Sequence, residues 1–244
     1  WRSMNKFKQQ FLTGPYLIWI IGFIVLPMVM ILYYAFTNSD GGFTFEYIAA
    51  ITSATNLSAI GLSLKLGIIC TVICLVLSYP LAMILNNMQI KNQGLVVFIF
   101  MLPMWMNFML RILAWRLLLS NNGIVNAIFQ FFGFGTVKML NTQTAVVFGM
   151  VYDFLPFMIL PIYTTISRLD GSLLEAARDL GAGEMQAFLR VTLPLSVPGI
   201  ISGVSMVFLP AMTNYVVLDM LYNSTYIMGS LIGSYFAAYN WHGG

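Results

Sequence analysis

Five stretches of this chain stay predominantly apolar for more than twenty residues at a time, and that confines the fold to a membrane. They run roughly over residues 14–37, 59–85, 94–118, 143–166 and 194–216. A helix needs about 20 such residues to cross the hydrocarbon core. Apolar residues fill each run without the strict alternation of a membrane β-strand, so a β-barrel is not supported. Composition agrees: 59% of the 244 residues belong to the AVILMFWYC set and 8% are charged, against about a quarter in soluble domains. A soluble fold of this length could not cover so much apolar surface. A water-soluble enzyme, a disordered chain and a disulfide-rich secreted module are thereby excluded. The expected fold is all-α, a polytopic membrane helical bundle forming one transmembrane domain over 1–244.

Lysine and arginine placement orients the bundle. Arg2, Lys6 and Lys8 precede the first span, Lys91 lies between the second and third, and Arg168, Arg178 and Arg190 lie between the fourth and fifth. The opposite loops offer Lys138 alone. This predicts a cytoplasmic N-terminus and a cytoplasmic loop between spans four and five. Loops 38–58 and 119–141 and the tail after 216 then face outward. Within 123–134, GIVNAIFQFFGF reads as a short interfacial helix. Residues 225–239 read as an outer-face helix or re-entrant piece, and a sixth span is expected beyond the end of the sequence. Trp1-Arg2-Ser3 ahead of Met4 reads as an appended remnant, and the first run is too long for a cleaved signal peptide.

Small features complete the outline. Cys70 and Cys74, four apart in an apolar run, read as packing residues on one helix face. The single histidine, His242, makes no metal site by itself, and no basic run long enough to bind nucleic acid is present. Pro27, Pro80, Pro103, Pro156, Pro161, Pro198 and Pro210 fall within or at the ends of spans. They are either tolerated kinks or joints in a pathway that must bend.

The loop between spans four and five is the most specific segment. From Asp170 it reads DGSLLEAARDLGAGEMQAFLRVTLPLSVPGI. Ser172 is expected to cap a helix, with Glu175 in its first turns. Leu173, Leu174, Ala177 and Leu180 share one face, and Gly181 and Gly183 break the helix. A second helix, Glu184 to Val191, leads to Pro194, where the fifth span is expected to begin. The result is an elbow with an apolar face, which either docks on another protein or packs on the chain's own helix ends.

The order Glu175-Ala176-Ala177, three residues, Gly181, nine residues, Val191, one residue, Leu193-Pro194 resembles the EAA loop of permease subunits of binding-protein-dependent ABC importers. That family usually has Ile at the place of Val191. LPLSVPGIISG, VFLPAM (207–212) and LPMWMNFMLRILAW (102–115) are similar to spermidine/putrescine permeases, most of all to the first of the two in such systems. The likeness covers most of 14–242. It implies the type I importer transmembrane fold in a multi-pass inner or plasma membrane protein. It also implies a second permease subunit, two cytoplasmic ATPase subunits and an extracellular or periplasmic solute-binding protein as partners. Carried over to this chain, Glu175, Ala176, Ala177 and Gly181 are the ATPase-coupling residues, with Arg178 and Asp179 making polar contacts at that joint. No G-x-x-x-x-G-K-[ST] loop is present, so the chain is not expected to bind ATP, and neither catalytic residues nor a cofactor are expected.

Charges inside spans are costly and mark function. Lys65 and Arg116 sit near span ends and can snorkel. Arg111 lies about a turn deeper, and Asp153 is near the middle of the fourth span beside Tyr152. Asp153 has two readings: an ion pair with Arg111, or a counter-charge for a cationic solute. Trp105, Asn107, Tyr152, Arg111, Tyr215 and Asp219 are the further pathway candidates, and Asn107 and Arg111 are expected to face the same way. For a polyamine, a carboxylate with aromatic rings is the fitting chemistry. An importer of another small solute has the same architecture. A stand-alone secondary transporter or channel, or an intramembrane enzyme, leaves the elbow unexplained.

Overall fold

A computed structural model describes residues 14–38, 41–88, 93–222 and 227–242. Arg2, Lys6, Lys8 and Lys91, on which part of the orientation argument rests, lie outside them. The described residues are helical apart from loops and one isolated antiparallel bridge, Thr37 to Phe43. Contacts divide the chain into two compact units, residues 1–57 with 231–244, and residues 58–230.

In the first unit, helix α1 (Gly14–Phe36) keeps no side chain buried. A helix apolar all round whose side chains all stay at least partly exposed suits lipid or a partner span. Its middle, Ile21–Val25, is a π-turn closed by the Leu26 N–H bonding the Ile21 carbonyl. Pro27 follows at once: it brings no N–H, and the wider turn makes room for its ring. A short helix α2 (Glu46–Ala50) follows a reverse turn in which Gly41 takes a left-handed φ of 78°.

The second unit is built around α7. Helix α3 (Ala54–Asn87) is followed by α4 (Gln93–Trp105), α5 (Phe108–Leu118) and α6 (Ile124–Phe131). Then come α7 (Gln143–Ile166), α8 (Gly171–Asp179), α9 (Glu184–Thr213) and α10 (Tyr215–Leu221), while most of α11 (Met228–Ala237) belongs to the first unit. Two-thirds of the most apolar stretch of α7 is buried, with Met150, Met158 and Ile162 fully enclosed. Its main partner is α9, and two glycines set how closely they meet. A methyl at Gly199 would stand 2.5 Å from Thr165 Oγ1 and 2.8 Å from the Pro161 carbonyl, and one at Gly203 would stand 2.7 Å from Met158 Sδ. G-x-x-x-G is a general device for bringing membrane helices into backbone contact. Cys70 and Cys74 are buried, unoxidised packing residues, as their spacing suggests.

Among the described residues, four helices are long and apolar enough to cross a membrane, or five if the bent pair α4–α5 is one span. The first, second and fourth expected spans correspond to α1, α3 and α7. The third is corrected: 94–118 is two helices meeting at 91°. Pro103 withholds a donor from the last turn of α4, and Asn107 leaves helical geometry to cap α5, its Oδ1 accepting from the Met109 and Leu110 N–H groups. The start of the fifth is corrected too. Pro194 begins nothing; α9 runs unbroken from Glu184, because a second π-turn, Phe188–Thr192, absorbs the proline just as in α1. The interfacial segment is helical over Ile124–Phe131, and the tail holds α11.

Candidate functional site

The elbow is α8, a tight turn and the first turns of α9. Asp170 rather than Ser172 caps α8, its Oδ1 accepting from the Ser172 N–H at 3.0 Å. That bond holds the exposed Asp170 carboxyl below the usual carboxylate range. A shorter side chain two residues further in has no orphan N–H within its reach. Glu175 consequently lies in the middle of α8. The far end closes as a Schellman motif: Gly181 N–H to the Arg178 carbonyl (2.9 Å) and Ala182 N–H to the Ala177 carbonyl (3.0 Å). Gly181 has φ of 82° with open space around it, so conformation and not crowding calls for glycine there.

The elbow's apolar face divides. Leu174 and Ala177 are half-buried against the chain itself, while Leu173 and Leu180 are exposed, Leu180 to 89%. Met185 and Leu189 extend the open surface. Glu175, Ala176, Arg178 and Asp179 are also exposed. Part of the face thus packs on the chain itself, and part is left open.

Inside the bundle, Arg111 Nε approaches Asp153 Oδ1 to 2.8 Å, with Asp153 only 2% exposed. Of the two readings of Asp153, the ion pair is formed. It is a charge contact without an aligned hydrogen bond, and Asp153 Oδ2 has no hydrogen-bond partner among the described residues. Arg111 Nη1 also donates to the Pro103 carbonyl at 2.7 Å. One guanidinium thus ties α5 to α7 and to the end of α4, satisfying a carbonyl exposed by the helix break. The rings of Tyr152 and Phe108 lie 5.8 and 5.9 Å from its centre, within cation–π range.

The other pathway candidates are not gathered there. Trp105 is 77% exposed at the bend. Asn107 is exposed and used as a cap, so it does not share Arg111's surroundings: the four-residue spacing crosses a helix start, where one-face geometry fails. Tyr215 and Asp219 are exposed on α10, a separate helix whose cap is Asn214, its Oδ1 accepting from Val217 N–H. Lys65 reaches Gln143 Oε1 at 3.2 Å. Among the described residues, no group of three or more His, Cys, Asp or Glu is placed to hold a metal ion.

Two features escaped the sequence argument. The Gly199–Gly203 contact was readable as G-x-x-x-G. The bond between Tyr79 Oη and Ser196 Oγ, 2.7 Å and 117 residues apart, had no local signal.

The family model described as "binding-protein-dependent transport system inner membrane component" matches residues 3–241. The chain belongs to this family. It is a permease of the ABC importer class, and the stand-alone transporter, channel and intramembrane enzyme readings give way to that. The permease is 38% identical to the spermidine/putrescine transport system permease protein PotB of Haemophilus influenzae, over 97% of this chain and 86% of the relative. It is 36% identical to PotB of Escherichia coli K12, over 83% and 77%. Among solved structures, a chain of a bacterial ABC transporter that imports the acidic polysaccharide alginate matches with a TM-score of 0.74. Identity there is 21%, covering 97% of the permease and 88% of that chain, so the likeness concerns the fold alone. A second structure of a bacterial alginate transporter is in complex with its periplasmic protein and scores 0.75 at 19% identity, covering 97% and 85%.

Proposed function

We propose that this permease forms, with a second permease subunit, the route of a polyamine through the membrane, and that closure of two cytoplasmic ATPase subunits drives it through the elbow. The observation that carries the reading is the elbow itself: a turn closed at both ends by its own hydrogen bonds that still leaves Leu180 and Met185 in the open. A rigid, capped knob with bare leucine is built to be covered. In this reading Glu175, Ala176, Ala177, Arg178, Asp179 and Gly181 meet the ATPase. Small Ala176 allows close approach. The elbow and the N-terminus are cytoplasmic, and residues 1–244 work as one transmembrane domain. Hydrolysis in the partner biases two states of a pathway that the permease supplies, and a solute-binding protein delivers the cargo on the outer side.

The polyamine assignment is supported by relatives that carry spermidine and putrescine in their names and by the chemistry around Asp153. Ammonium groups favour carboxylates and aromatic faces, and Asp153 has one unpaired oxygen beside the half-buried Tyr152. Trp105, Asn107, Arg111, Tyr215 and Asp219 are the further pathway residues in this proposal.

The test is reconstitution with the partner permease, ATPases and binding protein, followed by a solute panel. Spermidine or putrescine is expected to stimulate ATP turnover, and a neutral sugar or an anion is not; stimulation by the sugar or anion alone would replace the polyamine. Gly181→Trp is expected to abolish ATPase docking. Undiminished uptake in that variant would remove the coupling role.

A further inference from the structure

Where the elbow passes into its span, α9 contains the π-turn Phe188–Thr192, closed by the Leu193 N–H on the Phe188 carbonyl. Pro194 and Pro198 follow within a turn and a half, and neither supplies a backbone donor. A helix interrupted in this way has fewer and longer-ranged hydrogen bonds to resist bending, and π-turns recur at functional places. The same turn before Leu-Pro occurs in α1, where all five of its residues are exposed. In α9 it is gripped. The ring of Tyr79 on α3 meets Phe188 edge-on at 5.6 Å, at the start of the turn. Its hydroxyl reaches Ser196 Oγ at 2.7 Å, beyond the end. Ser196 Oγ donates to the Leu193 carbonyl at 2.8 Å. The serine proton is therefore committed, and Tyr79 must be the donor to Ser196. Tyr79 and Ser196 are both buried. Pro80 sits next to Tyr79, so α3 is itself weakened at this level.

We propose that Tyr79 is a positioning residue for transport: it bridges the π-turn from one side to the other and makes the elbow and the α9 span move as one body with α3. A displaced elbow pulls on α9 at Glu184–Ala187. With the clamp, the π-turn cannot unwind by itself and the displacement reaches the span. Without it, the elbow turns about the joint while the span lags. ATP is then hydrolysed with less solute carried. This inference rests on the coupling role proposed for the elbow.

Tyr79→Phe keeps the ring on Phe188 and removes the donor, and Ser196→Ala removes the acceptor. Each is examined in the complex with the partner permease and ATPases. Amide exchange over 188–196 is expected to rise about three- to tenfold, the reach of one buried hydrogen bond, while exchange in 171–181 stays as it was. Spermidine carried per ATP hydrolysed is expected to fall by a similar factor, with ATPase association unchanged. The double variant should match the single ones, because both break one bond. Unchanged exchange at 188–196 overturns the clamp, as does a fall in assembly with an unchanged transport ratio. If the unaltered complex carries no spermidine, the polyamine reading fails alone and the exchange measurement still decides the clamp. Undiminished uptake in Gly181→Trp sinks the coupling reading and with it the transport role of Tyr79, while exchange at 188–196 still decides whether the Tyr79–Ser196 bond holds the turn.

Discussion

Arg111 answers two costs that the membrane would otherwise impose, and its own charge is answered in return. Asp153 is a carboxylate in an apolar bundle, the Pro103 carbonyl at the bend keeps only a 3.3 Å bond from the Met106 N–H, and the guanidinium itself must be neutralised. Removing one member of a buried pair strands the other, at about 3–5 kcal/mol. Arg111→Gln is therefore expected to lower the thermal stability of the assembled permease sharply, and Arg111→Gln with Asp153→Asn to recover much of it. A double variant as unstable as the single one would show that the pair is not what stabilises this region. Transport separates the roles further: a stable double variant that still fails to carry spermidine assigns the pathway role to Asp153 or Arg111. Asp170 gives a prediction in pH. Its folded carboxyl titrates below its unfolded value, so the ionised cap stabilises α8 at neutral pH. That contribution is lost as pH falls through the lowered folded value. Asp170→Asn caps without a charge, so amide exchange in 172–175, taken as a ratio to the unaltered chain at each pH, should fall as the pH drops and the unaltered cap is lost. A ratio constant with pH would contradict this.

At the scale of elements, three breaks in helices share one origin. Each lies beside a proline in a solvent that supplies no replacement hydrogen bonds. Where the chain can widen a turn, it does, at 21–25 and 188–192. At 106–107 an asparagine cap lets the helix stop and restart, and the two halves diverge by 91°. Proline positions are plain in the sequence. Whether one produces a π-turn or a break depends on the neighbours: Asn107 is a cap residue, while Leu26 and Leu193 are not. Close packing of α7 on α9 is set by Gly199 and Gly203. Gly199→Ala brings a methyl against the Pro161 carbonyl, which cannot rotate away, and is expected to cost about 1–3 kcal/mol. The melting temperature of the purified complex reads this directly, and an unshifted value would mean that the helices separate freely.

For the whole molecule, the distribution of exposed surface matters most. Helix α1 buries nothing within the chain, and the elbow leaves leucine and methionine open. Under the proposed function both surfaces are covered, the helix by lipid or a partner span and the elbow by an ATPase subunit. The orientation proposed from basic loops makes a clear prediction. Single cysteines placed at Arg178 and Lys138, in a background with Cys70 and Cys74 changed to Ala, should label from opposite sides of the membrane. Labelling of both from one side would overturn the topology.

The sequence by itself determined that the chain spans a membrane, where the first, second and fourth expected spans lie, and that an elbow follows the fourth. These depend on local runs of twenty or more residues, and the bilayer averages over them. The glycine that turns the elbow was legible too, because a left-handed backbone has few residues that suit it. Only the tertiary structure decided that Asp153 meets Arg111, that the third span breaks, that Asp170 replaces Ser172 as the cap and that Tyr79 grips Ser196. Each depends on where one atom comes to lie within about 3 Å of another, and such distances follow from how helices pack and bend, which the order of residues along one helix does not record.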